Sequence, residues 1–351
     1  MKDDEYRKTI RSVFRELPYF GVNHFVPLHG QFNNVNITSL PTKKYLDKLS
    51  SFHDLDLFSL NTASNINPDQ NLVDLKIHSR YFSPHSFYTM KNTFHDTNDL
   101  FSLFHANVRS LKRNFENLQT HLLNELGYPF NIIGITETRI TENDQSDYHP
   151  SIPGYSFEFA PTPLAAGGVG MFIDANVKYK VIEKISSRAF QALWVELQFE
   201  MKSNIICGVI YRQHNSPESF QTYFDETLEK FSNSGKPIYV LGDFNINLLN
   251  AETCNFTKDF LLSLQSYSFI PTIDKPTRVN SNSATLIDNI FVNQIGREIT
   301  SGNIISDISD HYSQFCIIKS FKVKELPQKT MYRKFSRDTE ENIHSELSEI
   351  N

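Results

Sequence analysis

The chain has 351 residues, enough to bury a sizeable core, and with 39% hydrophobic and 13% aromatic residues it has the composition of a globular protein rather than a disordered one. Lysine and arginine total 34 against 40 aspartates and glutamates, a net charge of −6 that excludes a general basic field and leaves any phosphate affinity to be local or metal-mediated. No apolar stretch approaches the roughly 18 residues a span needs, and the opening MKDDEYRKTIRSVFREL is charged throughout, so neither a membrane span nor a signal peptide is expected.

Residues 1–98 lack sustained periodicity. A short helix suits 4–16, LHGQFNNVNITSLP reads as loop, and LVDLKIHSRYFSPHSFYTM is aromatic and broken by Pro84. These residues are expected to form an irregular N-terminal extension, partly helical or disordered. From residue 99 the punctuation becomes regular. LFSLFHANV is strand-like, and Leu111, Phe115, Leu118, Leu122 and Leu126 then mark one helical face that stops at Gly127. Strands follow at NIIGIT (131–136), GGVGMFI (167–173), ALWVELQF (192–199) and NIICGVIY (204–211). Ser216 and Pro217 open a second helix with Phe220, Phe224, Leu228 and Phe231 on one face. IYVL, a helix near 256–268, LIDNIFV (286–292) and SQFCIIK (313–319) complete the pattern.

Short strands outnumber helices and several neighbours look antiparallel. Two sheets packed face to face with helices outside fit this order better than a doubly wound parallel sheet. Residues 321–351 lose the strand pattern and become highly charged, as a linker does. Cys207, Cys254 and Cys316 are odd in number and far apart, and read as free thiols of a reducing compartment.

The apolar runs share a habit at their ends. Asn107 closes the first strand, Glu137 follows the second, Tyr211 and Arg212 end another, and GDFN supplies Asp243 and Asn245. Asp288 sits inside LIDNIFV, while Asp310 and His311 precede the last strand. Each alone has an ordinary explanation as a turn former or a satisfied polar group. Six such coincidences in one region are harder to dismiss, because polar groups buried at strand ends carry a desolvation cost unless they are paired or used. Carboxylates with asparagine carbonyls make a hard, oxygen-rich site that favours Mg²⁺ or Mn²⁺ over Zn²⁺, and the chemistry such an inventory suggests is phosphate-ester hydrolysis. There is no Walker-type loop, and the glycines of GGVG are expected to permit close packing at a strand start.

The ordered set NVRSL, ITETRI, GGVGMFI, VIYR, VLGDFNINL, ATLIDNIFV and SDISDHYSQF resembles the endonuclease/exonuclease/phosphatase superfamily. It is most like the apurinic-type endonuclease domain of non-LTR (LINE-like) retrotransposon proteins, over about residues 99–320. The resemblance implies a four-layered α/β/β/α sandwich with the site at one edge of the two sheets. It also implies Mg²⁺-dependent (or Mn²⁺-dependent) cleavage of DNA that leaves a 3′-hydroxyl and a 5′-phosphate.

By motif, Glu137 would be the principal metal ligand, with Asn107 and Asp310 beside it. Tyr211 would touch the scissile phosphate, Asp243 would orient or deprotonate the attacking water, and Asn245 would help bind the phosphate. Asp288 would hold His311 against a phosphate oxygen, and Arg212 and Asn215 would contact substrate. Two departures stand out: Arg109 replaces an aspartate common in repair-type members, and RQHNS leaves either His214 or Asn215 in place of an expected asparagine. Both weigh against abasic-site repair more than against cleavage. Lys112, Arg113, Arg139, Arg212, Lys275 and Arg278 lie near the motif ends, where they could form a phosphate-facing rim or be plain solvated charge. In retroelements the nick primes a reverse transcriptase, which is expected to be missing from this chain, and the family setting suggests an intracellular, nuclear location. The alternatives are a phosphatase or lipid phosphodiesterase with the same site, or a catalytically silent relic.

Overall fold

The computed structural model describes residues 79–319 apart from 95–99, 145–147, 200–202, 215–218, 252, 281–282 and 295–296. Residues 1–78 of the extension expected over 1–98, and the charged segment 321–351, therefore lie outside the described residues.

Two sheets face each other. The first runs in the order β1 (Arg80–Phe82), β14 (Ile299–Ile304), β15 (Ser313–Lys319), β2 (Leu100–Asn107), β3 (Ile132–Thr136), β5 (Val169–Asp174), β4 (Tyr155–Ala160). The second runs β10 (Ile270–Pro271), β13 (Asp288–Val292), β9 (Ile238–Asp243), β8 (Ile205–Arg212), β7 (Phe190–Gln198), β6 (Lys178–Ser186). A short hairpin pairs β11 (Arg278–Val279) with β12 (Ala284–Thr285). Helices α1 (Pro84–Lys91) and α2 (Leu111–Thr120, prolonged by a π-helical turn at His121–Leu126) cover the outer face of the first sheet. Helices α3 (Ser219–Ser232) and α4 (Asn255–Ser266) cover the second. This is the four-layered α/β/β/α sandwich expected from the sequence.

Alternation along the strands explains the layering, since successive side chains point to opposite faces. In β8, Ile205, Cys207 and Val209 enter the core between the sheets, while Ile206 and Ile210 face α3 and α4. In β9, Tyr239 and Leu241 point inward and Ile238 and Val240 outward. Both faces of these strands are covered, so they read as continuous apolar runs. The outer layer of the second sheet is aromatic: Phe220, Phe224, Phe244 and Phe260 are fully buried together, each contributing on the order of 1.5–3 kcal/mol by burial.

β2 runs parallel to β3 through α2, and β8 runs parallel to β9 through α3. Neighbouring strands β13 and β15 run antiparallel to these pairs. The ends of four strands and the starts of two therefore meet at one edge of the sandwich.

The ordered sheet begins upstream of the expected boundary at residue 99. β1 pairs in parallel with β14, and Phe87 of α1 is buried against Phe130 and Phe315. This upstream strand also braces the site edge. Ser79 donates to Asp274, and the Tyr81 hydroxyl donates to the Pro276 carbonyl at 3.0 Å, so both clasp the loop that leads to Thr277.

Candidate active site

Asn107, Tyr211, Asp243 and Asp288 each continue the inward-facing alternation of their strands past the last apolar residue. Register aligns them. Tyr211 is the Cα partner of Asp243 across β8 and β9, and Asp243 is the partner of Asp288 across β9 and β13. Asn107 reaches over from the first sheet. Its Nδ2 donates to Glu137 Oε1 at 3.0 Å and to Asp243 Oδ2 at 2.8 Å. One carboxamide thus joins residues from both sheets.

Asp288 and His311 form a buried pair, with His311 Nδ1 at 2.8 Å from Asp288 Oδ2. The same oxygen accepts from the Thr277 hydroxyl at 2.7 Å. Two carboxylates placed opposite each other on paired strands repel, and the titration of the cluster reflects it. Burial, and then the charge of Asp288, push the Asp243 carboxyl up to about 8. Burial alone would raise Asp288 as well, but the adjacent His311 imidazolium and its hydrogen bond hold it below the usual carboxylate range. Burial works against charge on His311 too, yet Asp288 outweighs it and lifts the imidazole to about 9. Tyr211 is raised by burial and by the carboxylates of Glu137 and Asp243, so its hydroxyl keeps its proton.

The GDFN turn is held tightly. Asn245 has φ 47, its N–H donates to Asp243 Oδ1 at 3.0 Å, and its Nδ2 donates to the Arg212 carbonyl at 2.7 Å. Glu137 also lies in the left-handed region, at φ 52. Non-glycine residues persist there only where the surroundings over-determine them, which is common at functional sites. The glycines of GGVG behave as expected. A side chain at Gly167 would meet Gln191 Oε1 at 2.4 Å and the Tyr211 ring at 3.1 Å.

Two expected residues sit differently. The Arg212 side chain is buried; its guanidinium donates to the carbonyls of Phe244 and Asn245 at 3.4 and 3.3 Å and lies over Phe256 at 4.9 Å. Where a substrate contact was expected, it braces the GDFN turn from behind. Asp310 is bracketed by Arg109, at 2.9 Å, and Arg278, at 2.8 Å, so its carboxylate is engaged by two cations. Asn215 lies outside the described residues. Two further residues escaped the sequence reading: Thr277, which anchors Asp288, and Ser309, whose hydroxyl donates to the Asn107 carbonyl at 2.6 Å and accepts from the His311 N–H at 3.1 Å. Ser309 lies within SDISD beside Asp310 and could have been suspected as a turn-forming hydroxyl; nothing in the sequence marks Thr277.

The donors fit a hard divalent cation. Asp243 and Asp288 offer carboxylate oxygens within 4.8 Å of each other and of His311, which, held charged by Asp288, supplies a hydrogen-bond donor rather than a lone pair. Asp288 Oδ1 is buried with no hydrogen-bond partner among the described residues, an orphan that a cation or water would satisfy. Glu137 adds a carboxylate oxygen on the other side of Asp243, joined to it through the Asn107 amide.

Two packed sheets with carboxylates, asparagines and a charged histidine gathered at one edge define the fold of phosphodiesterases and nucleases. The chain belongs to the endonuclease/exonuclease/phosphatase family, whose sequence model matches residues 104–311. No curated protein matches the sequence. Among solved structures, the AP endonuclease LMAP from Leishmania major is 12% identical over 74% of this chain and 97% of that one, with a TM-score of 0.50. The human Nocturnin catalytic domain with bound sulfate anion is 15% identical over 64% and 95%, with a TM-score of 0.49. The endonuclease domain of TRAS1, a telomere-specific non-LTR retrotransposon, is 13% identical over 64% and 100%, with a TM-score of 0.47. No helix among the described residues is long and apolar enough to cross a membrane.

Proposed function

We propose that this chain is a metal-dependent DNA endonuclease that nicks one strand to leave a 3′-hydroxyl. The observation that carries the reading is the Asn107 carboxamide, which ties Glu137 on one side to Asp243 on the other and so links a metal position to a water position. Mg²⁺ or Mn²⁺ held by Glu137 and Asn107 would neutralise phosphate charge and stabilise the leaving oxygen.

The chain's own residues supply the rest. Asp243, fixed by Asn107 and the Asn245 N–H, accepts a proton from the attacking water, and a carboxyl raised toward neutrality suits that task. His311 has its Nδ1 held by Asp288, leaving Nε2–H to donate to a non-bridging phosphate oxygen as charge builds there. Tyr211 keeps its proton and donates from the floor of the cleft, with Asn245 beside it. Arg212 acts through the turn it braces, and Asp310 orients Arg109 and Arg278. The spelling NVRSL, with arginine at residue 109, supports a retroelement type of nuclease over a repair type. In that setting the nicked DNA primes reverse transcription in the nucleus.

Supercoiled plasmid incubated with the protein and Mg²⁺ is expected to open to nicked circles. EDTA, and an Asp243→Ala, His311→Ala double variant, are expected to abolish the conversion. Folded wild-type protein that leaves the plasmid supercoiled sinks the reading.

A further inference from the structure

We infer that Gln191 is a positioning residue: it holds the loop that carries Glu137 in place across from Tyr211 and so sets the metal position; the inference rests on the metal-dependent reading above. Gln191 opens the inward row of β7. Leu193, Val195 and Leu197 follow it into the core between the sheets, while Phe190, Ala192 and Trp194 face the outer helices. Its Cα partner is Tyr211, so the site-edge row of the second sheet reads Gln191, Tyr211, Asp243, Asp288 across neighbouring strands. Gln191 is fully buried and takes no part in the chemistry above.

Its carboxamide crosses between the sheets. The N–H of Gly168, just before β5 in the first sheet, donates to Gln191 Oε1 at 2.8 Å, and Gln191 Nε2 donates to the Ser187 carbonyl. One neighbour is a donor and the other an acceptor, so the amide sits in one orientation only. From Gly168 the linkage passes directly to the Glu137 loop. Thr138 N–H donates to the Gly168 carbonyl at 3.2 Å and Arg139 N–H to the Gly167 carbonyl at 2.8 Å, which pins the two amides that follow Glu137. Glu137 itself, at φ 52, is in a conformation that persists only where its surroundings impose it. Gly167 and Gly168, at φ 104 and 85, leave no room for a side chain. A Cβ at the first would lie 2.4 Å from Gln191 Oε1, and one at the second 2.4 Å from Thr138 Oγ1.

The placement of this crossing gives it its role. Asn107 to Asp243 joins β2 to β9 at 2.8 Å, and Gly168 to Gln191 joins the start of β5 to β7. In the first sheet β3 lies between β2 and β5; in the second, β8 lies between β9 and β7. The two crossings therefore bracket β3 and β8, the strands that deliver Glu137 and Tyr211. Between the crossings β3 rests directly on β8, since a Cβ at Gly134 would lie 2.8 Å from Val209 Cγ2. With Gln191 removed, Glu137 stays tethered to Asn107 on one side and is released on the other. Its carboxylate then loses the fixed reach that a cation of demanding geometry needs.

The test compares Gln191→Met, which keeps the length of the side chain but loses the acceptor oxygen, with Gln191→Glu, which keeps that oxygen. The full chain is titrated with Mn²⁺ in the absence of DNA, and amide hydrogen exchange is followed at Thr138, Arg139 and Gly168 and across α3. Gln191→Met is expected to bind Mn²⁺ about tenfold more weakly and to exchange those three amides about tenfold faster, with α3 unchanged. Gln191→Glu is expected to keep Gly168 exchange within about threefold of wild type. Should Gln191→Met not fold, Gln191→Asn, which stays polar but draws the oxygen back by one methylene, is expected to give the same two readings. Unchanged Mn²⁺ affinity, unchanged exchange at these amides, or exchange that quickens equally in α3 would overturn the inference, the last by making Gln191 a general packing residue. Wild-type protein with no Mn²⁺ affinity would overturn it together with the metal reading. Protein that shows the Gln191 effects but never nicks plasmid would refute the nuclease reading and leave the positioning role standing.

Discussion

Gly242 offers the sharpest test of how the fold holds its chemistry. It immediately precedes Asp243 and is the Cα partner of Ile210, one step before the Tyr211 and Asp243 pair. A Cβ added there would lie 1.9 Å from the Ile210 carbonyl oxygen and 2.9 Å from its carbonyl carbon. Neither is a flexible side-chain end; both belong to a strand covered on each face. For Gly242→Ala the strands must part by more than about 1 Å to reach even the closest tolerated contact, which stretches a hydrogen bond of ordinary length past its useful range. Two ladder bonds weakened or lost at about 1–1.5 kcal/mol each give roughly 3 kcal/mol. For a domain of this size that corresponds to a fall in Tm of about 6–12 °C, read by thermal melts followed by circular dichroism. If Asp243 has the proposed role, activity should fall further than the folded fraction does, by about a hundredfold, because a shift of about 1 Å there would misplace the attacking water. A variant that melts within about 2 °C of wild type and nicks normally would refute the close strand approach and the positioning argument built on it.

Arg212→Lys separates a brace from a substrate contact. A lysine lacks the planar guanidinium that lies over Phe256 while one of its nitrogens donates to both carbonyls, so stability should drop by about 2 kcal/mol and kcat should fall with KM little changed; a rise in KM alone would make Arg212 a substrate ligand after all. Cys254, whose thiol is pulled down chiefly by the Thr257 backbone N–H, should react with a disulfide reagent in the folded protein. Cys207 and Cys316, both pushed up by burial, should stay silent until denaturant is added. His105 is fully buried against Gln314 and Thr136, and burial lowers its pKa. Below about pH 6.5 the unfolded chain binds a proton that the folded chain refuses, so stability is complete above that pH and is lost toward the lower folded pKa at up to about 1.4 kcal/mol per pH unit. Denaturant titrations at several pH values should show this slope, and His105→Gln should flatten it.

The strands legible in the sequence are those buried on both faces, where apolar residues run without interruption. Others were not, among them β6, β14 and β1. β6, KYKVIEKIS, is an edge strand with exposed Lys178, Lys180 and Lys184, a composition that protects an edge but hides it from a search for apolar runs. β14, ITSGNI, buries Ser301 and Asn303, whose side chains donate to loop carbonyls of Thr272, Lys275 and Pro276. β1 is only three residues long and gains its meaning from a partner some 220 positions away.

The site was legible for a related reason, since a polar residue at the end of an apolar run has few structural excuses. What the strand-end rule lacked was parity. Neighbours on a strand point to opposite faces, so Tyr211 and Arg212 cannot both enter one cleft: Tyr211 follows Cys207 and Val209 into the space between the sheets, and Arg212 follows Ile206 and Ile210 toward the outer helices. Asp310 and His311 divide in the same way, the histidine buried at 4% exposure beside Asp288 and the aspartate turned out to Arg109 and Arg278. Asp243 and Asn245, two apart, both serve the site, although the left-handed turn at Asn245 is needed to keep them together. Counting positions from the last inward-facing apolar residue assigns Asn107, Tyr211, Asp243 and Asp288 to the cleft and Arg212 to its support, from sequence alone. Thr277 stays out of reach of any such count. Its place at Asp288 is set by a loop clasped by Ser79 and Tyr81, a long-range contact that no local pattern encodes.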